Sequence, residues 1–357
     1  MNLPKNIFSG NWKTGHVQGI AVDTQRGYVY YSYTTLLLKT DLEGNLLATV
    51  HNLIGHLGCI AFDSQRNRLY GTLELKHDVI GQGIMNLTGI QLAEEDAFYL
   101  VSFDLEKLNR IGMDAEKDNI MRTVYLKDVV TDYCGTDDFS GKPGRYGCGG
   151  MDGISVGPVF GTDKNGPRKL FVAEGIRGDT SRTDNDHQVI LQYDLSIFDT
   201  FGQSLQQLQP HHSGPEQCEE RYFFYTGNTS WGIQNLEYDS YSEYWFAAVY
   251  PGTKPDFENF HMFAIDGTIP AEKALLEGRG NETGMLLTSA KIGIGQKNDR
   301  IYGTHFPWGS TGIAALGDGR FYISHNGYDP EEHNHFTNVK LYRFDPASPD
   351  WFRLEEN

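Results

Sequence analysis

The sequence holds no apolar run approaching the roughly 20 residues that a membrane-spanning helix needs. Cysteine is scarce. Cys59, Cys134, Cys148 and Cys218 are the whole set, and no two form a CxxC pair. That spacing excludes a zinc-ribbon or thioredoxin-type motif, and the low count excludes a disulfide-stapled scaffold. Reduced thiols are expected, with Cys134 and Cys148, on either side of a glycine-rich loop, the one pair placed to bridge. Basic residues are in deficit: 30 Lys and Arg face 47 Asp and Glu, a formal charge of −17. Such a field argues against nucleic acid or an anionic membrane as partner. Met1 to Trp12 has neither the apolar core nor the cleavage pattern of a signal peptide, so a cytoplasmic location is expected.

Familiar ligand motifs are also missing. The runs Gly147–Gly150 and Ile292–Gly295 precede no helix and so form no phosphate-binding loop. Asp179 to Asp186 is rich in oxygen donors but lacks the calcium-loop pattern. Asn86, Asn228 and Asn281 open glycosylation triplets that carry no weight without a secretion signal.

What is present is a mixture of abundant Tyr, Phe and Gly, which favours short strands and tight turns. One phrase recurs five times: Gly19–Asp23, Cys59–Asp63, Gly153–Gly157, Asn235–Asp239 and Gly312–Leu316. Each alternates small and apolar residues, as a strand beside a crowded axis does. A polar turn and a second strand follow every copy: Val29–Tyr33, Leu69–Leu73, Leu170–Glu174, Trp245–Val249 and Phe321–His325. Third strands end in Asp41, Asp104, Asp194, Asp266 and Asp345, a residue that caps its own turn. Weaker fourth strands fall at Leu46–Val50, Met121–Leu126, Tyr222–Tyr225, Met285–Ser289 and Trp351–Leu354. The pattern specifies an all-β, five-bladed β-propeller with four antiparallel strands per blade. The blades span approximately 17–54, 57–130, 151–228, 233–290 and 310–357 of a single domain.

Long inserts at His77–Ala97, Val129–Gly150, Ile176–His187, Pro251–Phe260 and Gly327–Thr337 are expected to share one face, where binding sites concentrate. Positions that coincide in the repeat also coincide around the axis. One ring reads Gln18, Gly58, Asp152, Gln234 and Thr311. Two residues earlier come His16 and His56. The ends of the second strands supply Tyr33, Leu73, Glu174, Val249 and His325, followed by Thr34, Glu74, Gly175, Tyr250 and Asn326. These rings are polar and differ from blade to blade, which favours one asymmetric central site over five alike. The candidate catalytic residues are His16, His56, Asp152, Glu174 and His325. The candidate substrate-binding residues are Gln18, Tyr33, Glu74, Arg177, Gln234, Tyr250, His305 and Trp308, with Arg182 beside Arg177. His325, His333 and His335 crowd one segment, without a defined zinc spacing.

The phrases Gly15–Asp23, Lys39–Asn45, Tyr225–Asn228, Gln234–Asp239 and Tyr322–Gly327 resemble a family of signal-less bacterial propeller proteins of unknown function. In architecture the chain is similar to the five-bladed propellers of furanosidase-type glycoside hydrolases and lyases, and to propeller lectins. The glycosidase resemblance implies acids from three successive blades. Here the first-blade position is Gln18, and Asp152 and Glu174 share a blade. The lyase and lactonase resemblance implies histidine with a divalent metal, calcium or a transition ion, for which His16, His56 and His305 are the candidates. The leading expectation is a carbohydrate-active enzyme, hydrolase or lyase, acting on a sugar, oligosaccharide or uronate in a central pocket. The alternatives are a non-catalytic sugar-binding propeller and a metal-dependent lactonase or phosphoesterase-like hydrolase.

Overall fold

The structure is a computed structural model, describing residues 3–356. Five sheets surround a central axis. The innermost strands are Val17–Asp23, His56–Asp63, Cys148–Pro158, Thr229–Asp239 and Ile313–Ala315. Each pairs antiparallel with the next strand outward, Tyr28–Tyr33, Arg68–Leu75, Arg168–Ile176, Tyr244–Pro251 and Arg320–Asp329. Side chains alternate across each blade, so both faces of a blade feed apolar residues into the gaps beside it. Five clusters of buried residues fill those gaps, one between each pair of neighbouring blades.

All five third-strand aspartates act as turn residues. Asp41, Asp104, Asp194, Asp266 and Asp345 each accept the amide N–H two residues on, at 2.8–3.2 Å. A short side chain that caps its own turn accounts for their repetition without any role at the axis.

The last blade is completed from both ends of the chain. Asn6–Phe8 pairs with Asn338–Lys340, and Phe352–Leu354 pairs with Tyr342–Phe344 on the same strand. The stretch Gly327–Thr337, read from sequence as a loop insert, instead prolongs the hairpin of strands Arg320–Asp329 and Asn334–Phe344. Its alternating aromatic and polar residues satisfy a strand as well as they do a loop.

One outer strand also differs. The fourth strand of the fourth blade is Ile301–Thr304, which pairs with Met262–Phe263. The expected segment Met285–Ser289 is divided. Thr283–Leu286 lies parallel to the outer strand of the third blade, and Ser289 makes an isolated bridge to Ile265. Met285 and Leu286 pack on the core between the third and fourth blades, while Ile301 is fully buried there. An outer strand has one free edge, so small differences in apolar burial decide which segment takes it. All four cysteines are unpaired. Among the described residues, no helix is long and apolar enough to cross a membrane.

Candidate functional site

Bulges aim the ring residues. The inner strands of the first four blades each break register at the same place: between Val17 and Gly19, Leu57 and Ile60, Met151 and Ile154, and Ile233 and Asn235. Gln18, Gly58, Asp152 and Gln234 occupy these breaks. A bulge leaves one residue outside the ladder and re-aims its side chain, which here sends polar groups toward the axis. Gln234 Nε2 donates to Asp152 Oδ2 at 3.2 Å and to the Trp231 carbonyl at 2.9 Å. Gln18 Nε2 donates to Thr34 Oγ1 at 3.1 Å.

His56 and Glu74 stand opposite each other in the second blade. His56 Nδ1 lies 3.1 Å from Glu74 Oε2 and 3.6 Å from Asp152 Oδ1. Glu74 has further partners. Its Oε2 meets Lys76 Nζ at 2.8 Å, and its Oε1 accepts the Met151 N–H at 2.7 Å. Lys76 also reaches the Gly149 carbonyl at 3.2 Å and Asp78 at 3.3 Å. His56, Glu74, Lys76 and Asp152 are all buried.

Glycines on the third blade make this possible. Gly150 and Gly175 face each other at its two ring positions. A β-carbon on Gly150 would fall 2.1 Å from Glu74 Oε1 and 2.9 Å from Lys76 Nζ, and its φ is +127°. A β-carbon on Gly58 would meet Asp152 Oδ1 at 2.8 Å. Gly150→Ala should therefore destabilise the protein by about 1–3 kcal/mol through backbone strain, with more from the collision. A denaturant midpoint unchanged from wild type would contradict that packing.

The charges split the two carboxyl groups. Burial, reinforced by the Glu74 charge, pushes Asp152 up to about 7, against the pull of His56, Lys76 and Gln234. Burial would raise Glu74 too, but Lys76 and His56 hold it below the ordinary glutamate value. Burial opposes the charge on His56, yet Asp152 and Glu74 outweigh it and raise its pKa. Across the mouth, burial and the nearby His56 and His335 lower His16 to about 4, so its imidazole is neutral. Its Nε2 lies 3.3 Å from the Tyr250 hydroxyl and 3.4 Å from Gln18 Nε2. The site thus pairs an acid poised near neutrality with a neutral imidazole, the separation that acid–base chemistry uses.

Alternation explains which expected residues lie elsewhere. Tyr33, Leu73, Glu174, Val249 and His325 end the regular part of their second strands, and they turn into the gaps between blades instead of toward the axis. Tyr33 is buried with its hydroxyl 2.7 Å from Ser9 Oγ. Glu174 is fully buried beside Arg221, 3.5 Å away, which also pairs with Asp132. Burial and Asp132 raise its pKa well above the ordinary glutamate range. His325 is stacked on Trp308 with centroids 3.8 Å apart and bonded to the Tyr342 hydroxyl at 2.8 Å. Burial lowers it to about 4. His305 is exposed, 3.9 Å from Glu258 and packed against Phe260. Arg177 donates to the Cys148 carbonyl at 2.9 Å, and Arg182 is locked onto Asp184 at 2.8 and 2.9 Å. The structure gathers His16, Gln18, His56, Glu74, Asp152, Gln234 and Tyr250. Among the described residues, no three His, Cys, Asp or Glu side chains converge as metal ligands, and the contacts of His305 do not include His16 or His56.

Two participants carry no motif in the sequence. Lys76 is a buried lysine at a strand end, legible only once Glu74 is known to face the axis. Trp231 stands 37% exposed beside Gln234, with φ +69°. A bulky residue held in the left-handed region next to a polar cluster is a sign of function that only coordinates reveal.

No protein-family model matches the chain, and no curated protein sequence matches it. Solved structures align with it along most of its length. The α-L-arabinanase of Cellvibrio cellulosa, complexed with arabinohexaose, aligns at 9% identity over 99% of this chain and 96% of its own, with a TM-score of 0.41. A GH43 β-1,3-galactosidase with galactodeoxynojirimycin aligns at 10% over 98% and 99%, TM-score 0.46. The soluble aldose sugar dehydrogenase of Escherichia coli aligns at 10% over 94% and 98%, TM-score 0.38.

Proposed function

We propose that the chain is a carbohydrate-active enzyme working at this axial mouth, and that its reaction is β-elimination on a uronate-type sugar. One observation carries the reading: Asp152 is the carboxyl group poised near neutrality, while Glu74 is committed to Lys76, His56 and the Met151 amide. Glycoside hydrolysis by the usual route needs two carboxyl groups free to act on either side of the bond. Elimination needs one proton acceptor and one donor. Neutral His16, next to Tyr250, takes the proton from the carbon beside the uronate carboxyl group. The electron pair forms the carbon–carbon double bond, the glycosidic carbon–oxygen bond breaks, and Asp152 protonates the departing oxygen. His56, whose pKa Asp152 and Glu74 raise against the effect of burial, lies 3.6 Å from Asp152 and supports the substrate's own carboxylate.

Gln18, Gln234, Tyr250 and Thr34 suit a hydroxyl-rich ligand, and Trp231 gives it a stacking face. Trp231→Ala should raise KM up to about tenfold while changing kcat little, because an aromatic stack is worth about 0.5–1.5 kcal/mol. An unchanged KM would remove Trp231 from the site. The reaction itself is tested by incubating the protein with polyuronates and with neutral glycosides. The unsaturated uronide chromophore is expected from the former. Reducing ends released without unsaturation would overturn elimination in favour of hydrolysis.

A further inference from the structure

The opposite mouth of the axis holds a cavity of about 370 Å³, lined by the inner strands of all five blades. Its walls include Val22, Phe62, Val156, Tyr238 and Ala315, one equivalent residue from each blade. The innermost strand of a blade has one neighbour, so alternate amide groups on its free edge face the axis. The structure shows two of these amides and where they go. The Tyr238 N–H is accepted by Ser155 Oγ at 3.3 Å, and the Ala315 N–H by Glu237 Oε1 at 2.8 Å.

Ser155 and Glu237 are themselves equivalent residues, each reaching from its own blade to the inner edge of the next. In the other three blades that column reads Ala21, Ala61 and Ala314. An alanine accepts nothing. Among the described residues, the corresponding N–H groups, on Phe62, Val156 and Val22, have no side-chain partner and are left facing the cavity.

Glu237 is the sole acid in the column. Ringed by the inner strands, with Asp239 as the next charge, it is pushed up to about 8 by burial and carries its proton at neutral pH. Its second oxygen is then a donor. Lys164 and Arg168 line the rim. Arg168 gives one nitrogen to Asp63 at 3.0 Å. Asp23 and Asp63, at the ends of inner strands, are committed to Arg26 and to Arg66 and Arg168.

We propose that this cavity binds a small oxyanion, a carboxylate or a tetrahedral anion, held by the free amides of Val22, Phe62 and Val156 and by the Glu237 carboxyl proton. Backbone amides converging on a concavity make an anion site without any basic side chain inside it. Glu237 adds a donor that disappears when it ionises, so occupancy is linked to pH. The site lies at the far end of the axis from Asp152 and His56 and does not depend on the reaction assigned there.

The test is sulfate binding by calorimetry between pH 6 and 9, a range in which sulfate does not titrate. Wild-type affinity is expected to hold to about pH 8 and then fall about tenfold per pH unit, the signature of one ionising donor. Glu237→Gln keeps an acceptor for the Ala315 amide and should bind with no such break. Ala61→Ser and Ala314→Ser supply acceptors for the Val156 and Val22 amides. Each should weaken sulfate several-fold at pH 7 without loss of thermal stability. Sulfate affinity that rises with pH, a cation bound in its place, or serine variants that bind as wild type does would overturn the proposal.

Discussion

Asp152→Asn is expected to cut turnover on the productive substrate by about 10²–10⁴-fold, the usual worth of a positioned general acid. Asparagine keeps the shape and still receives the Gln234 amide bond, but it has no proton to give. The same variant tests the electrostatics. A carboxyl group raised from the ordinary value to about 7 in the folded protein favours folding only while protonated. Its stabilisation is fully present below about pH 4 and is lost as pH rises through 7. Wild type and Asp152→Asn should therefore melt alike in acid, and the variant should be the more stable of the two at pH 8. Parallel melting curves across that range would mean that Asp152 is an ordinary aspartate.

Lys76→Met should be among the most destabilising single changes in the protein. It leaves Glu74 buried beside His56 without its closest cation. Breaking a buried pair in this way costs about 3–5 kcal/mol. The loss should be largest at neutral pH and shrink in acid, where Glu74 is protonated. In whatever activity remains, the alkaline limb of the pH profile should move upward, because Lys76 lowers the pKa of Asp152, the acid that must keep its proton. Lys76→Arg should restore part of the stability. A denaturant midpoint equal to that of wild type would show that Glu74 is neutral in the native protein and would remove the reason for the asymmetry between the carboxyl groups.

The repeat was legible from sequence because each blade spends the same residues on the same tasks. The five aspartates cap turns and the small residues crowd the axis, so alignment of the copies yields the propeller. Outer strands are less constrained. Thr283–Leu286 goes to the third blade because its apolar residues find a better gap there than on the fourth. The site was legible in part. Alignment brought His16, His56, Gln18, Asp152 and Gln234 to the ring but could not separate Glu74 from Glu174, which occupy adjacent columns. A shift of one residue along a strand reverses the direction of the side chain. Glu74 therefore faces His56, while Glu174 faces Arg221 between blades. The bulges that aim Asp152 and Gln234 leave no mark in the sequence. Nor does the fit at Gly150, whose missing side chain leaves room for Glu74 and Lys76 of the second blade.

The proposed chemistry needs one carboxyl group, that of Asp152, poised near neutrality at the axial mouth. A carbon-detected NMR titration of the aspartate side chains, with Asp152→Asn used to assign the resonance, measures this directly. A midpoint near 7 for Asp152 is the predicted result. A midpoint near 4, with Asp152 ionised throughout the physiological range, would contradict the proposed acid and the reaction built on it.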